Sequence, residues 1–416
     1  MILLSHPTGN EFVRQALVAF DRVGMLGEFW TTVSWNSKSP VNRVLPRGLR
    51  DVLQRRAFPE AIRSHTRTVP VRESVRLLAG AIGIPSKHET GAFSVDAVLR
   101  ELDRRVSERL QRVDPPSPGL RQAGVDSVYA YEDGALETFR AARQRGFKRV
   151  YDLPIAYWQT SQRLLHEEAE RYPDWESTLG ATRDSEEKLS RKTEELELAQ
   201  LVVCPSNFVL ESLPAKARAQ KPCIVAPFGS PDVDLTKASP KKSSRLRLLF
   251  AGAMTQRKGL ADLFTAMKLV DSDQVELTVM GSLLRPLNWY REQCDFVYEP
   301  PRPHGEVLRL MQSCDVFVLP SIVEGRALVQ QEAMACGLPV IATKNAGADD
   351  AIDNGQSGFL VPIRAPEAIA AKINWCVANR SLLAGMGIAA RKRAAEFTWR
   401  NYGETILAAV RTLTCP

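Results

Sequence analysis

Short apolar runs alternate along this chain with longer stretches in which apolar side chains return every three or four positions, the two periodicities of buried strands and one-faced helices. The first run, Ile2–Ser5, leads into the loop His-Pro-Thr-Gly-Asn and then the helical pattern EFVRQALVAFDRVG, which stops on Gly24. Further strands are predicted at 127–132, 149–155 and 201–206, each beside a helical stretch. Residues 160–200 read as a polar helical region rich in Glu, Lys and Arg and interrupted at Pro173, which suits an exposed helix pair over the sheet.

After IVAPFG (224–229) the sequence turns to SPDVDLTKASPKKSS, dense in Pro, Ser and Lys as linkers are. Alternation then resumes more regularly: strand 245–251, helix 259–270, strand 275–281, strand near 295–298, helix 304–313, strand 315–319, helix 327–336 and strand 339–343. Sequential βα units of this kind imply parallel sheets with ligands at the carboxyl ends of their strands. The chain accordingly divides into an N-terminal domain (1–229), a linker (230–244), a C-terminal domain (245–396) and an amphipathic terminal segment (397–416). Its length of 416 residues agrees, being too great for one comfortable core.

Composition narrows the class further. With 44% hydrophobic and 25% charged residues the chain is ordinary globular protein rather than disordered. Its seven cysteines form no CxxC pair and several lie in apolar runs, which points to reduced, buried thiols in a cytoplasmic protein and away from disulfides or a zinc site. The start MILLSHPTGNEF lacks a basic region and a long apolar one, and no uncharged stretch reaches the ~18 residues of a membrane span, so a soluble or peripheral protein is expected. The net charge of +7 is uneven: Arg43, Arg47, Arg50, Arg55, Arg56, Arg63, Arg67, Arg72 and Arg76 face only Asp51, Glu60 and Glu73. The patch 43–76 suits a nucleic acid, an anionic membrane or a charged acceptor, and a solvated helix face accounts for it equally well.

Candidate chemistry concentrates in DVFVLPSIVEGRALVQQEAMACGLPVIAT, residues 315–343. A buried strand ends at Pro320, a loop holds Glu324 and Gly325, and a helix starting near Arg326 stops at Gly337. The backbone N–H groups of Arg326, Ala327 and Leu328 are then expected unpaired at a helix N-terminus, where the dipole favours an anion such as a diphosphate. Glu324 and Glu332 stand eight positions apart, on the order of 12 Å of helical rise, enough to bracket a diphosphate. A second loop, in LLFAGAMTQRKGLADL (248–263), brings Arg257 and Lys258 to a strand end, where basic side chains neutralise the same diphosphate from the opposite side. In the first domain, Thr8, Gly9 and Asn10 follow a strand and could present amides to phosphate or acceptor, or form a plain βα turn.

These motifs together resemble the sugar-donor domain of family 4 glycosyltransferases of the GT-B fold. The E-x7-E signature is Glu324 and Glu332 within EGRALVQQE; PS-x-x-E-G before it, EAMA-x-G-x-PVIAT after it, the upstream RKG and NGQSGFLVP (354–362) fit as well. The resemblance covers most of 245–365, whereas the first half shares only its opening βα unit and VVCPSNFVLESL. Two positions depart from the pattern: Arg326-Ala327 replaces the usual aromatic-glycine after Glu-Gly, and Ala253 replaces a frequent Arg after the strand glycine.

The resemblance implies two Rossmann-like domains facing across a cleft, a terminal helix crossing back to the first, and retaining transfer of a sugar from a nucleotide-diphosphate donor without cofactor or bound metal. It implies that Lys258 and Arg257 bind donor phosphate, Glu332 the ribose and Glu324 the sugar, with Arg326 or Arg257 supplying the absent positive charge. Related enzymes often carry a His at the strand end occupied here by RVYDLPIAYW; Asp152 is the substitute as catalytic group, with Asp133 as competitor. Two Asp-x-Asp sequences, at 232–234 and 271–273, read as turn chemistry rather than metal ligands. The alternatives are a phosphorylase or epimerase of the same architecture and a basic nucleic-acid- or membrane-binding protein without catalysis; nucleic acid is not the expected partner.

Overall fold

The structure, a computed structural model, describes the chain apart from residues 37, 40, 41, 43–46, 82, 83, 85–88, 114–124, 235–243, 415 and 416, and apart from the side chains of 47–49, 51, 81, 181 and 414. Two parallel sheets organise it. The first holds β1 (Ile2–Ser5), β2 (Leu26–Thr31), β3 (Thr66–Thr68), β4 (Ser127–Tyr131), β5 (Lys148–Asp152), β6 (Leu201–Cys204) and β7 (Cys223–Val225), in the order β3-β2-β1-β4-β5-β6-β7. The second holds β8 (Leu246–Ala251), β9 (Val275–Met280), β10 (Val297–Glu299), β11 (Val316–Leu319), β12 (Val340–Thr343) and β13 (Gly358–Val361), in the order β10-β9-β8-β11-β12-β13. In each sheet the order reverses beside the first strand, so adjacent loops splay apart at the carboxyl edge and leave a crevice.

The central strands β4, β6, β8, β11 and β12 are almost wholly apolar, with Arg247 of β8 paired to Asp315, because helices cover both faces of the sheet, and each contributes side chains to the core. The strands that periodicity did not reveal are shorter or interrupted. β3 and β7 are three-residue edge strands, and β2 is LGEFWT, where Gly27 and Glu28 break the apolar pattern. Glu28 is tolerated there because Arg109 and the Trp30 indole both donate to its carboxylate.

The terminal helix Trp399–Thr414 buries Tyr402, Ile406, Leu407 and Val410 in the core of the first sheet, against the helix Glu11–Arg22. Gly403 permits that approach, since a Cβ there would lie 2.8 Å from the Ala19 Cβ. Most of the expected linker lies outside the described residues.

The region 160–200 is not an exposed helix pair. It comprises the helix Trp158–Arg171, two 3-10 turns and the helix Glu186–Leu198, and its Glu168, Trp175 and Glu195 are all buried. Trp175 enters the core of the second sheet, packing edge-on against Phe264, Trp289 and Tyr290. Polar composition misled here because the buried carboxylates are satisfied by partners distant in sequence: Glu195 accepts from the amides of Asp133, Ala135 and Leu136. Among the described residues no helix is long and apolar enough to cross a membrane.

Candidate active site

The carboxyl ends of both sheets open onto one cleft of about 450 Å³. From the second domain it is lined by Gly252, Arg257, Lys258, Glu324 to Val329 without a break, and Glu332; from the first by Phe12, Pro154, Ile155 and Phe228. Every C-terminal residue selected from the sequence as catalytic or donor-binding is therefore on one surface.

The basic loop is built by backbone geometry. After β8 the chain forms the 3-10 turn Gln256–Lys258, capped by the Thr255 hydroxyl, which accepts from the Arg257 amide at 3.2 Å. Gly259 then adopts φ +73°, and a Cβ at that position would lie 2.0 Å from the Pro320 carbonyl oxygen, so glycine is required for both conformation and space. The turn delivers two cations to one carboxylate: Arg257 Nη1 stands 3.1 Å from Glu324 Oε1, and Lys258 Nζ donates to the same oxygen. Burial would push the Glu324 carboxyl up, but Lys258 and Arg257 outweigh it and hold the group down at about 2. Burial lowers the Lys258 ammonium, against the pull of Glu324. In this arrangement Glu324 is the single anion shared by the two cations of the turn.

Glu332 lies further along the helix Leu328–Ala335 and pairs with His304 at 3.0 Å. That contact raises the His304 imidazole above its ordinary value, in opposition to partial burial. Two expectations for the helix start need correction. The helix begins at Leu328, and the Ala327 amide is bonded to the Ala346 carbonyl at 3.0 Å, so it is not a free anion donor. Arg326 borders the cleft, yet its guanidinium is buried, bonded to Asp350 at 2.6 Å and stacked over Phe397 at 4.4 Å. Its charge is spent inside the domain, and Arg257 with Lys258 supplies the positive field of the cleft.

The two domains meet at Glu324 and Gly325. The Ala156 amide donates to the Glu324 carbonyl at 3.3 Å and the Ser206 hydroxyl to the Gly325 carbonyl at 2.6 Å. Ser206, within the VVCPSNFV motif, thus serves both as N-cap of its own helix and as a tie to the opposite domain.

The first domain's candidates are placed differently. Asp152 is 1% exposed, does not line the cleft, and its carboxylate accepts from the Tyr129 hydroxyl at 2.5 Å. Burial pushes it up to about 7 against the Tyr129 hydrogen bond, and the carboxyl lies among tyrosines away from the cleft lining. The competitor Asp133 has φ +69° and faces Lys188 and Lys192, likewise outside the cleft lining. Thr8 and Gly9 also lie off that lining: the Thr8 amide is tied to His6 Nδ1 at 3.1 Å, and a Cβ on Gly9 would meet Phe58 at 3.0 Å. The loop is a packed βα turn.

The first domain instead presents Phe12 and Phe228, with rings stacked 5.0 Å apart at 6°, beside Pro154 and Ile155. Sequence reasoning missed them because an aromatic residue on an apolar helix face or strand end carries no mark of exposure to a cleft. Asp271 accepts from the Asp273 amide and from Gln274, in the turn before β9.

Comparison with known proteins agrees with this geometry. Residues 234–393 match the family described as "Glycosyl transferases group 1". D-inositol 3-phosphate glycosyltransferase of Corynebacterium jeikeium (strain K411) is 37% identical over 106 residues, 26% of this chain and 25% of that one, so the match spans well under two thirds of the relative. Over the whole chain the structure resembles sucrose-phosphate synthase from Thermosynechococcus elongatus, with a TM-score of 0.68, 18% identity and coverage of 99% of this chain and 98% of that one. It also resembles Anabaena HepE, solved in complex with UDP-glucose, with a TM-score of 0.61, 16% identity and 99% of both chains covered. With its E-x7-E pair and basic loop on one wall of the cleft, the segment 234–393 matches the group 1 glycosyl transferases, and the chain as a whole has the GT-B fold.

Proposed function

We propose that this chain is a retaining glycosyltransferase that holds a nucleotide-diphosphate sugar on its C-terminal domain and meets the acceptor at the N-terminal wall of the cleft. The observation that carries this reading is the convergence of Arg257, Lys258 and Glu324, with Glu332 on the same surface. A diphosphate entering the cleft takes over the two cations, and they together with the first turn of the helix Leu328–Ala335 stabilise charge on the leaving group. Glu332 accepts from ribose hydroxyls once His304 yields, and Glu324, released from its partners, lies beside the sugar where positive charge develops. UDP-glucose in the HepE complex supports a nucleoside diphosphate sugar as donor. No metal or cofactor enters the reading, since the cations already stand where the diphosphate is assigned.

A panel of UDP-, GDP-, ADP- and TDP-sugars in a thermal-shift assay tests it: a ligand at ~100 times its dissociation constant adds about 2.7 kcal/mol of stability. One of them should raise the Tm and be consumed in a reaction that Glu324→Gln suppresses and that EDTA leaves intact. No shift with any donor would overturn the assignment.

The reading extends to a cytoplasmic enzyme touching an anionic membrane through its arginine-rich segment. Arg43 and the side chain of Arg47 lie outside the described residues. Arg56 is buried against Glu73, which also takes Arg76, and Arg72 pairs with Glu101, so the free charge of the segment is less than its sequence suggests. What supports the contact is the helix Val71–Ala81, which exposes Val71, Val75 and Leu78 in one stripe, near exposed Arg67. Flotation with acidic liposomes should show salt-sensitive binding that a Val71→Ser, Leu78→Ser variant loses; equal recovery of both proteins in the bottom fraction would remove this part of the proposal.

A further inference from the structure

Behind the basic turn lies a buried polar network that joins the two domains and that the chemistry described above does not use. Gln256, the residue before Arg257, is fully buried. Its Nε2 donates to Glu168 Oε2 at 2.6 Å and to Asp262 Oδ2 at 2.8 Å, while its Oε1 accepts from the Ala261 amide at 2.8 Å. Asp262 belongs to the same domain as Gln256, but Glu168 comes from the helix Trp158–Arg171, whose chain leads out of the N-terminal sheet. Both carboxylates are fully buried.

Two arginines balance them. Arg171 donates to Glu168 at 3.1 Å and to Asp262 at 3.2 Å, and Arg364 donates to Glu168 and Glu167. Arg364 holds φ +61°, one of two non-glycine residues with positive φ among those described, and its guanidinium spans the domain boundary. Such backbone strain persists only where surrounding contacts over-determine it. The same boundary carries two further ties to the turn: the Thr255 hydroxyl donates to the Thr178 carbonyl at 2.8 Å, and the Gln256 amide donates to the Thr178 hydroxyl at 3.3 Å.

A set of two buried carboxylates, one buried amide and two partly exposed guanidiniums is a poor source of stability compared with apolar packing, because each carboxylate gives up its hydration. What it provides is direction. Each donor hydrogen of Gln256 Nε2 has one acceptor, its carbonyl oxygen is occupied, and the turn that follows it has one orientation. We propose that Glu168 is a positioning residue of the N-terminal domain that, through Gln256, sets the Arg257–Lys258 pair in the geometry needed to receive a diphosphate, a role that rests on the donor site assigned above. The domains are thereby coupled: the helix of one fixes the phosphate-binding turn of the other.

Glu168→Gln tests this directly, since it keeps the side chain's shape but removes the charge and sets one NH2 donor against either Gln256 Nε2 or the Arg364 guanidinium, so that the two can no longer both be accepted. Gln256→Met is the companion variant, which removes the link and leaves Glu168 paired with both arginines. Hydrogen exchange of the ligand-free proteins, read by mass spectrometry on the peptide spanning 255–259, should be about tenfold faster in both variants, while peptides from β1 and β8 are unchanged. Unchanged exchange in that peptide overturns the proposal whether or not any nucleotide binds.

Calorimetric titration of UDP and GDP then gives the second arm, with wild type, Glu168→Gln, Lys258→Met and the double variant. Glu168→Gln should weaken the nucleotide that wild type binds by about tenfold and add no comparable loss on top of Lys258→Met, the non-additivity of residues acting through one turn. A further tenfold loss in the double variant would show that Glu168 acts by another route and overturn the proposal. Faster exchange without nucleotide binding by wild type would instead count against the donor-site reading alone.

Discussion

A Cβ on Gly325 would lie 1.7 Å from the carbonyl oxygen of Pro154, so the floor of the cleft is closed by two backbones from different domains in direct apposition. No side chain fits between them. Gly325→Ala must therefore push the Pro154 loop away or part the domains, at the ~1–3 kcal/mol typical of overpacking. The expected result is a lower Tm together with reduced transfer. An unaltered Tm with full transfer would mean that Gly325 and Pro154 are not apposed in solution.

The two glutamates should separate kinetically. Glu324→Gln removes the anion that Arg257 and Lys258 share, leaving both cations free for phosphate while the sugar loses a carboxylate in the transition state. It should lower kcat by ~100-fold, on the scale of removing one electrostatic partner, with nucleoside diphosphate binding retained. Glu332→Gln should raise the donor KM more than it lowers kcat, because ribose contacts are alike in ground and transition states. Steady-state kinetics with diphosphate calorimetry decides; the opposite split would reverse the donor's orientation.

Donor affinity should depend on pH through His304. Its imidazole titrates above 6.5 because of Glu332, so at lower pH the imidazolium holds that carboxylate and the ribose must displace it. The donor KM is expected to fall as pH rises through the His304 value, and His304→Asn should flatten the profile. A wild-type KM that is constant from acid to neutral pH would rule the competition out.

Asp152 offers a stability test. Its folded-state value, pushed up to about 7 from 3.8 by burial, means that the native state binds the proton more tightly than the unfolded chain. Stability is then greatest below the unfolded value and is lost as pH rises to and through 7, by on the order of 4 kcal/mol for this group alone. Asp152→Asn, which can still accept from Tyr129, should remove that decline. Denaturant melts of both proteins between pH 4 and 8 measure it, and parallel pH curves would contradict a carboxyl raised by burial.

How much of this was legible beforehand differs between the halves of the chain. In the C-terminal half, Glu324, Gly325 and Glu332 are close in sequence, and Arg257 and Lys258 sit on a loop at the end of a strand whose neighbour ends at Pro320. Local spacing and a parallel sheet suffice to bring them to one edge. β11, β12 and the helix Leu328–Ala335 were likewise marked by continuous apolar runs and a glycine stop.

In the N-terminal half, an aspartate at the end of β5 has the same local signature whether it faces a cleft or, as Asp152 does, a buried tyrosine hydroxyl. The sequence by itself determined most of the alternation of elements and the convergence of Arg257, Lys258, Glu324 and Glu332 on one sheet edge, because periodicity and backbone requirements act over a few residues. Only the tertiary structure decided that Arg326 is neutralised by Asp350, that Phe12 and Phe228 line the N-terminal wall of the cleft, and that Glu168 reaches Gln256. Those outcomes depend on pairings between residues far apart in the chain, where the cost of burying a charge is met by a partner that no local pattern announces.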